Sequence, residues 1–333
     1  MYDRVKLVLY AHLLSESYNW REVLERITPI SYRADGLGGK GIWRGRWITV
    51  TETYISFEGS LPKCLYSHNL KTLSLEEVKG CIMQLSEDLG VPMYLATVEN
   101  AELAHNFIVD HSPILYLRKL NAPKNFKERD YEETKYMEGD KVLIKFYDKM
   151  KEAKGKRELP KYNRQELPPN LLRYEVTFTG ERLTTIFSRD IKANELWDKY
   201  VFWKLVAEWF GYYESIEKLP NDCWDIDYHA FECAKDFDKW CTCIANLRQN
   251  LYDYTKNVLF KHRGNPQNKD RIVHGYIKKR IKEALEWQQS HLLSSPLMIE
   301  LTSKIEKYLT YLLEVSNDGM SIEEEKQIFG IAS

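Results

Sequence analysis

Apolar and polar residues alternate through much of the first half of the chain. Alternation at every second position is typical of a half-buried strand, and apolar residues three and four positions apart are typical of an amphipathic helix. The alternating segments predict strands at 4–10, 48–60, 92–109, 142–147 and 171–178. Helical spacing appears at 20–27 and 74–89, where Ser74 and Glu77 form a capping box. This order predicts an α+β fold, an antiparallel sheet with helices on one face.

The pattern becomes helical after about residue 186. Two apolar stripes recur at helical spacing, formed by Trp197, Val201, Leu205 and Trp209 and by Leu301, Ile305, Leu309 and Leu312. We therefore expect a sheet domain over 1–185 and an all-helical domain over 186–333. Within the first domain, we interpret the charged segments 123–140 and 155–170 as connections between strands.

The formal net charge is only −1, so the overall charge does not indicate a nucleic-acid partner. Locally, the segment from Lys256 to Lys282 contains nine basic residues and only one acidic residue, Asp270. Three of the basic residues are Lys278, Lys279 and Arg280. Such a run is either a solvated helix face or a patch that contacts phosphates, and both interpretations stay open. The nine Trp, 22 Tyr and 12 Phe residues either fill cores or stack on unpaired bases.

The first residues show no basic segment followed by a small-residue cleavage site, and the apolar run at 5–14 is too short to span a bilayer. We expect a cytoplasmic protein without a membrane partner, with its six cysteines reduced. Four cysteines lie near His229, at Cys223, Cys233, Cys241 and Cys243, but no CxxC pair occurs. Buried thiols are a better interpretation than a zinc site.

A glycine-rich segment at 34–41 is followed by strand-like residues. A dinucleotide or phosphate loop requires a helix there, so we interpret this segment as a hairpin loop. Behind it lie two tryptophans and two arginines that either contact DNA or cap a sheet: Trp43, Arg44, Arg46 and Trp47.

Tyr147 stands where a predicted strand gives way to a helical run, with Lys149 beside it and Lys151 one turn further. A phenol has a pKa near 10, so it becomes a useful nucleophile where cations favour the phenolate. Attack on a phosphodiester would leave a phosphotyrosine link to DNA. The alternative is a strand-end tyrosine followed by a solvated helix.

Two strand carboxylates, Glu102 and Glu175, lie at polar positions of their alternating patterns. Carboxylate pairs on a sheet hold Mg²⁺ or Mn²⁺, which would polarise a scissile phosphate. Lys149 or Arg173 could then bind a non-bridging oxygen. In the alternative interpretation, Glu102 is an edge charge and Glu175 pairs only with Arg173.

Several ordered motifs between about residues 50 and 180 resemble replication initiators of filamentous phages of the gene II type and related proteins of plasmids and other mobile elements. The resemblance lies in the run at 55–69, in Leu85-Ser86 and Leu89-Gly90 of the predicted helix, in Asn106-Phe107, in the Phe146-Tyr147-Asp148-Lys149 segment, and in Leu172-Arg173-Tyr174-Glu175.

This resemblance implies a rolling-circle initiator that nicks one strand of an origin through a tyrosine and Mg²⁺ or Mn²⁺. Tyr147 matches the nucleophile, Glu175 the acid of an Arg-aromatic-Glu motif, and Glu102 an acid that many relatives have as Asp, preceded by an arginine. Here Asn100 replaces that arginine, and no His-hydrophobic-His metal pair is present.

The implied partners are origin DNA, single-stranded at the nick, a host helicase and polymerase in a bacterial cytoplasm, and a second copy of the chain. The expected DNA contacts are Lys63, Lys151, Arg44, Arg46, Lys278, Lys279 and Arg280. The alternatives are a relaxase or transposase with the same chemistry, and an origin-binding protein whose catalytic site is degenerate.

Overall fold

Ten strands form one sheet in which every neighbouring pair runs antiparallel. The computed structural model describes residues 1–14, 18–28, 30–156, 168–219 and 295–316. Its strands are β1 (Tyr2–Tyr10), β2 (Ser31–Tyr32), β3 (Gly38–Trp43), β4 (Arg46–Thr51), β5 (Tyr54–Ser60), β6 (Thr97–Ile108), β7 (Leu120–Asn121), β8 (Lys127–Tyr131), β9 (Thr134–Glu138), β10 (Val142–Asp148), β11 (Leu171–Thr179) and β12 (Glu217–Lys218). The order in the sheet is β2-β3-β4-β5-β1-β6-β11-β10-β9-β8, so β1 joins two antiparallel blocks.

Eight α-helices lie in the described residues. They are α1 (Trp20–Glu25), α2 (Leu61–Tyr66), α3 (Leu75–Leu89), α4 (Pro113–Leu117), α5 (Lys149–Gly155), α6 (Gly180–Phe187), α7 (Lys199–Ser215) and α8 (Pro296–Ser316). None of these is both long and apolar enough to cross a membrane. The predicted α+β fold, with an antiparallel sheet, helices and a helical C-terminal region, is confirmed.

The chain divides into two compact units, residues 1–217 with 300–333 and residues 218–299. Most of the second unit lies outside the described residues, and α8 belongs to the first unit from Glu300 onward. The proposed division at residue 185 into a catalytic and a helical domain stays a prediction.

The two faces of the sheet differ in chemistry because its strands alternate apolar and polar residues. On the apolar face, the Tyr174 ring stacks on Phe146 of β10 with ring centroids 4.4 Å apart, and it contacts Trp209 of α7 in a tilted arrangement with ring centroids 4.6 Å apart. Helix α3 contacts the same face where Trp43 Nε1 donates to Asp88 Oδ2 at 2.7 Å. Helices α3 and α7 thus contact the apolar face, and the polar residues of β6, β10 and β11 lie on the other.

Two segments interpreted as connections contain regular structure. The glycine-rich loop is shorter than expected because β3 begins at Gly38. A Cβ added to Gly39 would lie 3.1 Å from Leu24 of α1, and one added to Gly41 would lie 2.7 Å from Ile27, which follows the helix, so the glycines let this segment pack directly on the strand. The charged segment 123–140 forms the β8–β9 hairpin, where Lys135 is buried and its Nζ donates to Leu120 O and Glu128 Oε1. The alternating pattern does not predict β9, because the charged residue Lys135 occupies an inward-facing position where an apolar residue is usual.

The cysteines that the structure describes, Cys64 and Cys81, are buried free thiols, as expected. The remaining four, with the cluster around His229, lie outside the described residues.

His105 makes stability depend on pH. Its ring lies on the apolar face, stacked on Tyr308 with ring centroids 3.5 Å apart, and burial lowers its pKa to about 3. In the unfolded chain a histidine has a pKa near 6.5. Below that pH the unfolded state binds a proton at His105 and the folded state does not, so protonation favours unfolding. We expect the protein to lose about 2 kcal/mol of unfolding free energy through this group between about pH 7 and about pH 5.

The measurement is denaturant unfolding followed by tryptophan fluorescence across that pH range. His105→Gln should remove this part of the pH dependence, whereas His111→Gln, at an exposed position, should keep it. An unchanged slope in His105→Gln would contradict the role of the buried neutral imidazole.

Candidate active site

Tyr147 is the penultimate residue of β10, immediately before α5, as the sequence predicts. The strand ends there because the Asp148 carboxylate caps the helix, accepting from the Met150 and Lys151 backbone N–H groups at 3.0 Å. Tyr147 is buried, and its hydroxyl donates to Glu175 Oε1 at 2.7 Å. The cap therefore fixes the position from which the phenol reaches the adjacent strand.

Arg173 is buried beneath this pair and binds four segments of the chain. Its Nε donates to Glu175 Oε1 at 2.6 Å, and its Nη2 is paired with Asp3 of β1. Its Nη1 donates to Asn69 O at 2.9 Å and to Asn106 Oδ1 at 3.0 Å. A buried guanidinium with all of these acceptors orients Glu175 and Asp3. Its predicted contact with a phosphate oxygen would require some of these hydrogen bonds to break.

Glu102 lies beside Glu175 on the polar face because Thr177 is its register partner on β11, and Thr177 Oγ1 donates to Glu102 Oε2 at 3.0 Å. Lys145 of β10 joins the two carboxylates. Its Nζ donates to Glu175 Oε2 at 3.0 Å and to Glu102 Oε2 at 3.4 Å. The two predicted metal ligands are therefore close together, with an ammonium group between them.

Burial and neighbouring charges shift the pKa values of these titratable groups in different directions. Burial, then the negative charges of Glu175 and Asp3, raise the pKa of Glu102. Burial also opposes ionisation of Glu175, but Arg173 and Lys145 outweigh it and lower its pKa. Burial raises the pKa of Tyr147 well above its ordinary value, so the phenol keeps its proton at neutral pH.

Lys149 does not reach the Tyr147 hydroxyl. It is fully buried, its Nζ donates to Glu152 Oε2 at 2.6 Å, and it lies 5.7 Å from the centroid of the Tyr147 ring. Burial lowers the pKa of Lys149, with the charge of Arg173 adding to the effect. The Lys149 ammonium thus lies over the Tyr147 ring and is paired with Glu152, and its predicted contact with a phosphate would require a rearrangement.

Asp3, Glu102 and Glu175 can each direct one oxygen to a common point, since such oxygens lie within 4.8 Å of one another. All three are buried, and Asn69 Oδ1 nearby is buried with no hydrogen-bond partner among the described residues. An all-oxygen donor set suits a hard cation such as Mg²⁺ or Mn²⁺. The ammonium of Lys145 already shows that a positive charge is favoured between these carboxylates.

A cavity of about 390 Å³ opens over this cluster. Its walls include Tyr147, Lys145 and the three carboxylates, together with Arg46, Trp47 and Lys63 from β4 and α2. Two of the predicted DNA contacts, Arg46 and Lys63, are therefore at the site.

The remaining predicted DNA contacts are placed differently. Arg44 lies over the Trp43 ring, 5.1 Å from its centroid, and approaches Asp88. Lys151 Nζ pairs with Glu133 at 2.8 Å on the exposed side of α5. The basic residues Lys278, Lys279 and Arg280 lie outside the described residues.

Four residues of the site were missed in the sequence. Lys145 is a charged residue with apolar neighbours in its strand, and this is a signal that could have found it. Asp3 carries no such signal, because Arg4 and Lys6 make the start of β1 charged as a whole. Asn69 and Asn106 stand in motifs of the resemblance, but amides are common in loops and on exposed strand faces, so their residue type does not indicate a contact with Arg173.

Residues 43–199 match the family model for the N-terminal part of the phage replication-associated protein of the gene II type. The predicted resemblance to replication initiators of phages and plasmids is thereby confirmed. A solved structure, "Structure of Rolling Circle Replication Initiator Protein from Geobacillus stearothermophilus", is similar over 68% of this chain and 89% of that chain, with 11% sequence identity and a TM-score of 0.38. No curated protein matches the chain.

Arg173 should be the most costly polar residue of the site to remove. Arg173→Ala leaves Asp3 and Glu175 buried without their guanidinium, and we expect a loss of about 3–5 kcal/mol in the free energy of unfolding. The measurement is denaturant unfolding followed by circular dichroism.

Arg189→Ala is the control, because Arg189 pairs with Glu195 at an exposed position and should change stability little. Equal effects of the two substitutions would contradict the argument that burial of the Arg173 network makes it essential.

Proposed function

We propose that this protein is a rolling-circle replication initiator that nicks a single strand of its origin through a covalent link to Tyr147. The observation that carries the proposal is the hydrogen bond from the Tyr147 hydroxyl to Glu175, beside a carboxylate cluster and at the wall of an open cavity. The match of residues 43–199 to the replication-associated protein family supports it.

The chemistry follows from the contacts of Tyr147. The phenol is protonated in the resting site, so attack on phosphorus and loss of the proton must go together, with Glu175 Oε1 as the acceptor along the 2.7 Å hydrogen bond. The Tyr147 oxygen forms a bond to phosphorus while the bond from phosphorus to the 3′ oxygen breaks. The DNA 5′ end stays on the protein, and the 3′ oxygen takes a proton from water and can prime synthesis.

Asp3, Glu102 and Glu175 would hold a divalent cation, Mg²⁺ or Mn²⁺, which supplies Lewis-acid stabilisation of the charge that develops on the phosphate. Glu175 can serve both roles because its two oxygens differ. Its Oε1 faces Tyr147 and Arg173, whereas Oε2 faces Lys145 and Glu102.

Tyr147→Phe removes only the hydroxyl oxygen, so nicking and covalent adduct formation should fall to the background level while DNA binding is kept. The assay is supercoiled plasmid carrying the protein's own origin, with Mn²⁺, read as open circles and as protein–DNA adducts in denaturing gels.

Tyr136→Phe is a matched control, because Tyr136 lines the same cavity on the neighbouring strand and pairs in register with Lys145. It should keep adduct formation. If the adduct persisted in Tyr147→Phe and disappeared in Tyr136→Phe, the nucleophile would be Tyr136 instead of Tyr147. Origin binding by the wild type without any cleavage would favour the alternative of a degenerate origin-binding protein.

We infer that the single strand enters along β4 and α2. Trp47 is 59% exposed at the cavity, where it can stack on an unpaired base, and Arg46 and Lys63 line the same wall. Binding through the basic run at 256–282 is a further proposal that rests on the local excess of positive charge. Any dimer, helicase or polymerase contact is a proposal that rests on the resemblance.

The two candidate DNA surfaces should differ in how they respond to salt. Arg46→Ala with Lys63→Ala should weaken binding to a single-stranded origin oligonucleotide and reduce the slope of log affinity against log salt, because each lost phosphate contact removes roughly 0.7 from that slope. Fluorescence anisotropy at several salt concentrations measures both quantities.

Lys79→Ala is the control, since Lys79 lies on the exposed side of α3. If the double variant kept the wild-type slope and the variant with Lys278, Lys279 and Arg280 all changed to Ala lost it, the wall formed by β4 and α2 would not be the strand's path.

A further inference from the structure

We propose that Lys145 is a built-in counter-cation of the carboxylate cluster, and that a divalent cation displaces its ammonium into the cavity, where it binds the scissile phosphate. The part of this inference that concerns the scissile phosphate rests on the proposed function. It gives a role to a side chain that neither the sequence pattern nor the family match assigns.

The sheet register places Lys145 in this position. It is paired with Glu175 on β11 and with Tyr136 on β9, and it shares its face of β10 with Tyr147 two residues on. From there its Nζ reaches 3.0 Å from Glu175 Oε2 and 3.4 Å from Glu102 Oε2. These two carboxylates are among the three that would hold a shared cation.

Charge explains why one cation must leave when another arrives. The cluster has three carboxylates, of Asp3, Glu102 and Glu175, and Arg173 is held by Asp3, Glu175 and two asparagine oxygens. An ammonium and a divalent cation held by the same buried carboxylates would lie close together, and like charges at short distance repel strongly where little water screens them. Binding of the divalent cation therefore competes with the ion pairs of Lys145.

Of the two cations in the cluster, Lys145 is the one that can move. Arg173 is 2% exposed, whereas 22% of the Lys145 side chain is exposed and lines the cavity next to Tyr147. A lysine is a point charge on a flexible four-carbon stem, so a change of rotamers can redirect its ammonium. Once displaced, the ammonium faces the space where a phosphate attacked by Tyr147 would lie.

The exchange would couple the metal to the substrate. Without a divalent cation, Lys145 neutralises the carboxylates and is unavailable to DNA. With the divalent cation bound, the Lys145 ammonium is free to bind the phosphate. The site is therefore complete only when the cation and the DNA are both bound.

The test measures Mn²⁺ binding to the full-length protein by electron paramagnetic resonance of the free ion. Lys145→Met removes the competing charge while keeping an unbranched stem, so Mn²⁺ should bind at least about tenfold more tightly. Lys145→Arg keeps a positive charge and should retain weak binding like that of the wild type. Glu102→Gln should weaken binding, because it removes a ligand charge.

Lys6→Met is the matched control. Lys6 is a strand lysine of β1 that pairs with Glu99 at 2.6 Å instead of with the cluster, so its loss should leave Mn²⁺ affinity unchanged. Thermal melts of each variant identify loss of folding. If Lys145→Met bound Mn²⁺ no more tightly than the wild type, or if no variant bound Mn²⁺ at all, the displacement model would be wrong.

Nicking is the separate readout for the second half of the proposal. At saturating Mn²⁺, Lys145→Met should nick the origin plasmid about a hundredfold more slowly, since it lacks a charged donor to the phosphate. Tighter Mn²⁺ binding with unaltered nicking would confine Lys145 to the counter-cation role and overturn its phosphate contact. If the wild type bound Mn²⁺ without nicking while Lys145→Met bound it more tightly, the proposed nickase function would fail and the displacement would stand.

Discussion

The buried guanidinium of Arg173 is the constraint on which the site depends. An ionised group in the interior is tolerated only when its donors find acceptors, and Arg173 finds them on Asp3, Glu175, Asn69 and Asn106. These acceptors come from β1, β11, the loop after α2, and β6. The requirement to satisfy one side chain therefore brings together segments from distant parts of the chain.

A second constraint is that negative charge is concentrated at the centre of the polar face. Asp3, Glu102 and Glu175 are held so close that full ionisation requires compensation, and Arg173 with Lys145 supplies it. The pKa values of Glu102 and Glu175 move in opposite directions because burial and then the neighbouring carboxylates raise that of Glu102, whereas Arg173 and Lys145 outweigh burial and lower that of Glu175. A cluster of this kind favours an additional or a replacement cation, and the proposed metal-assisted chemistry depends on this property.

The family match covers most, but not all, of the residues that form the carboxylate cluster and its surroundings. Residues 43–199 contain Glu102, Lys145, Tyr147, Arg173 and Glu175, but Asp3 lies before this segment and completes the cluster through β1. Because β1 is inserted between β5 and β6, the N-terminal strand is part of the site as well as part of the sheet. A fragment that begins at residue 43 would lack both the central strand and the Asp3 carboxylate.

Local features follow from the amino-acid sequence, because strand alternation, capping and the turn from β10 into α5 depend on neighbouring residues. The polar positions of Glu102 and Glu175, the capping box of α3 and the strand end at Tyr147 are all observed. Which charges meet depends instead on how the strands assemble. Arg173 is oriented towards Asp3, Lys149 turns to Glu152, and Lys145 bridges two carboxylates, because cross-strand register and burial choose among partners that are far apart in sequence. A sequence pattern gives the face on which a side chain lies, but the partner of a buried charge is selected by the strand that packs beside it.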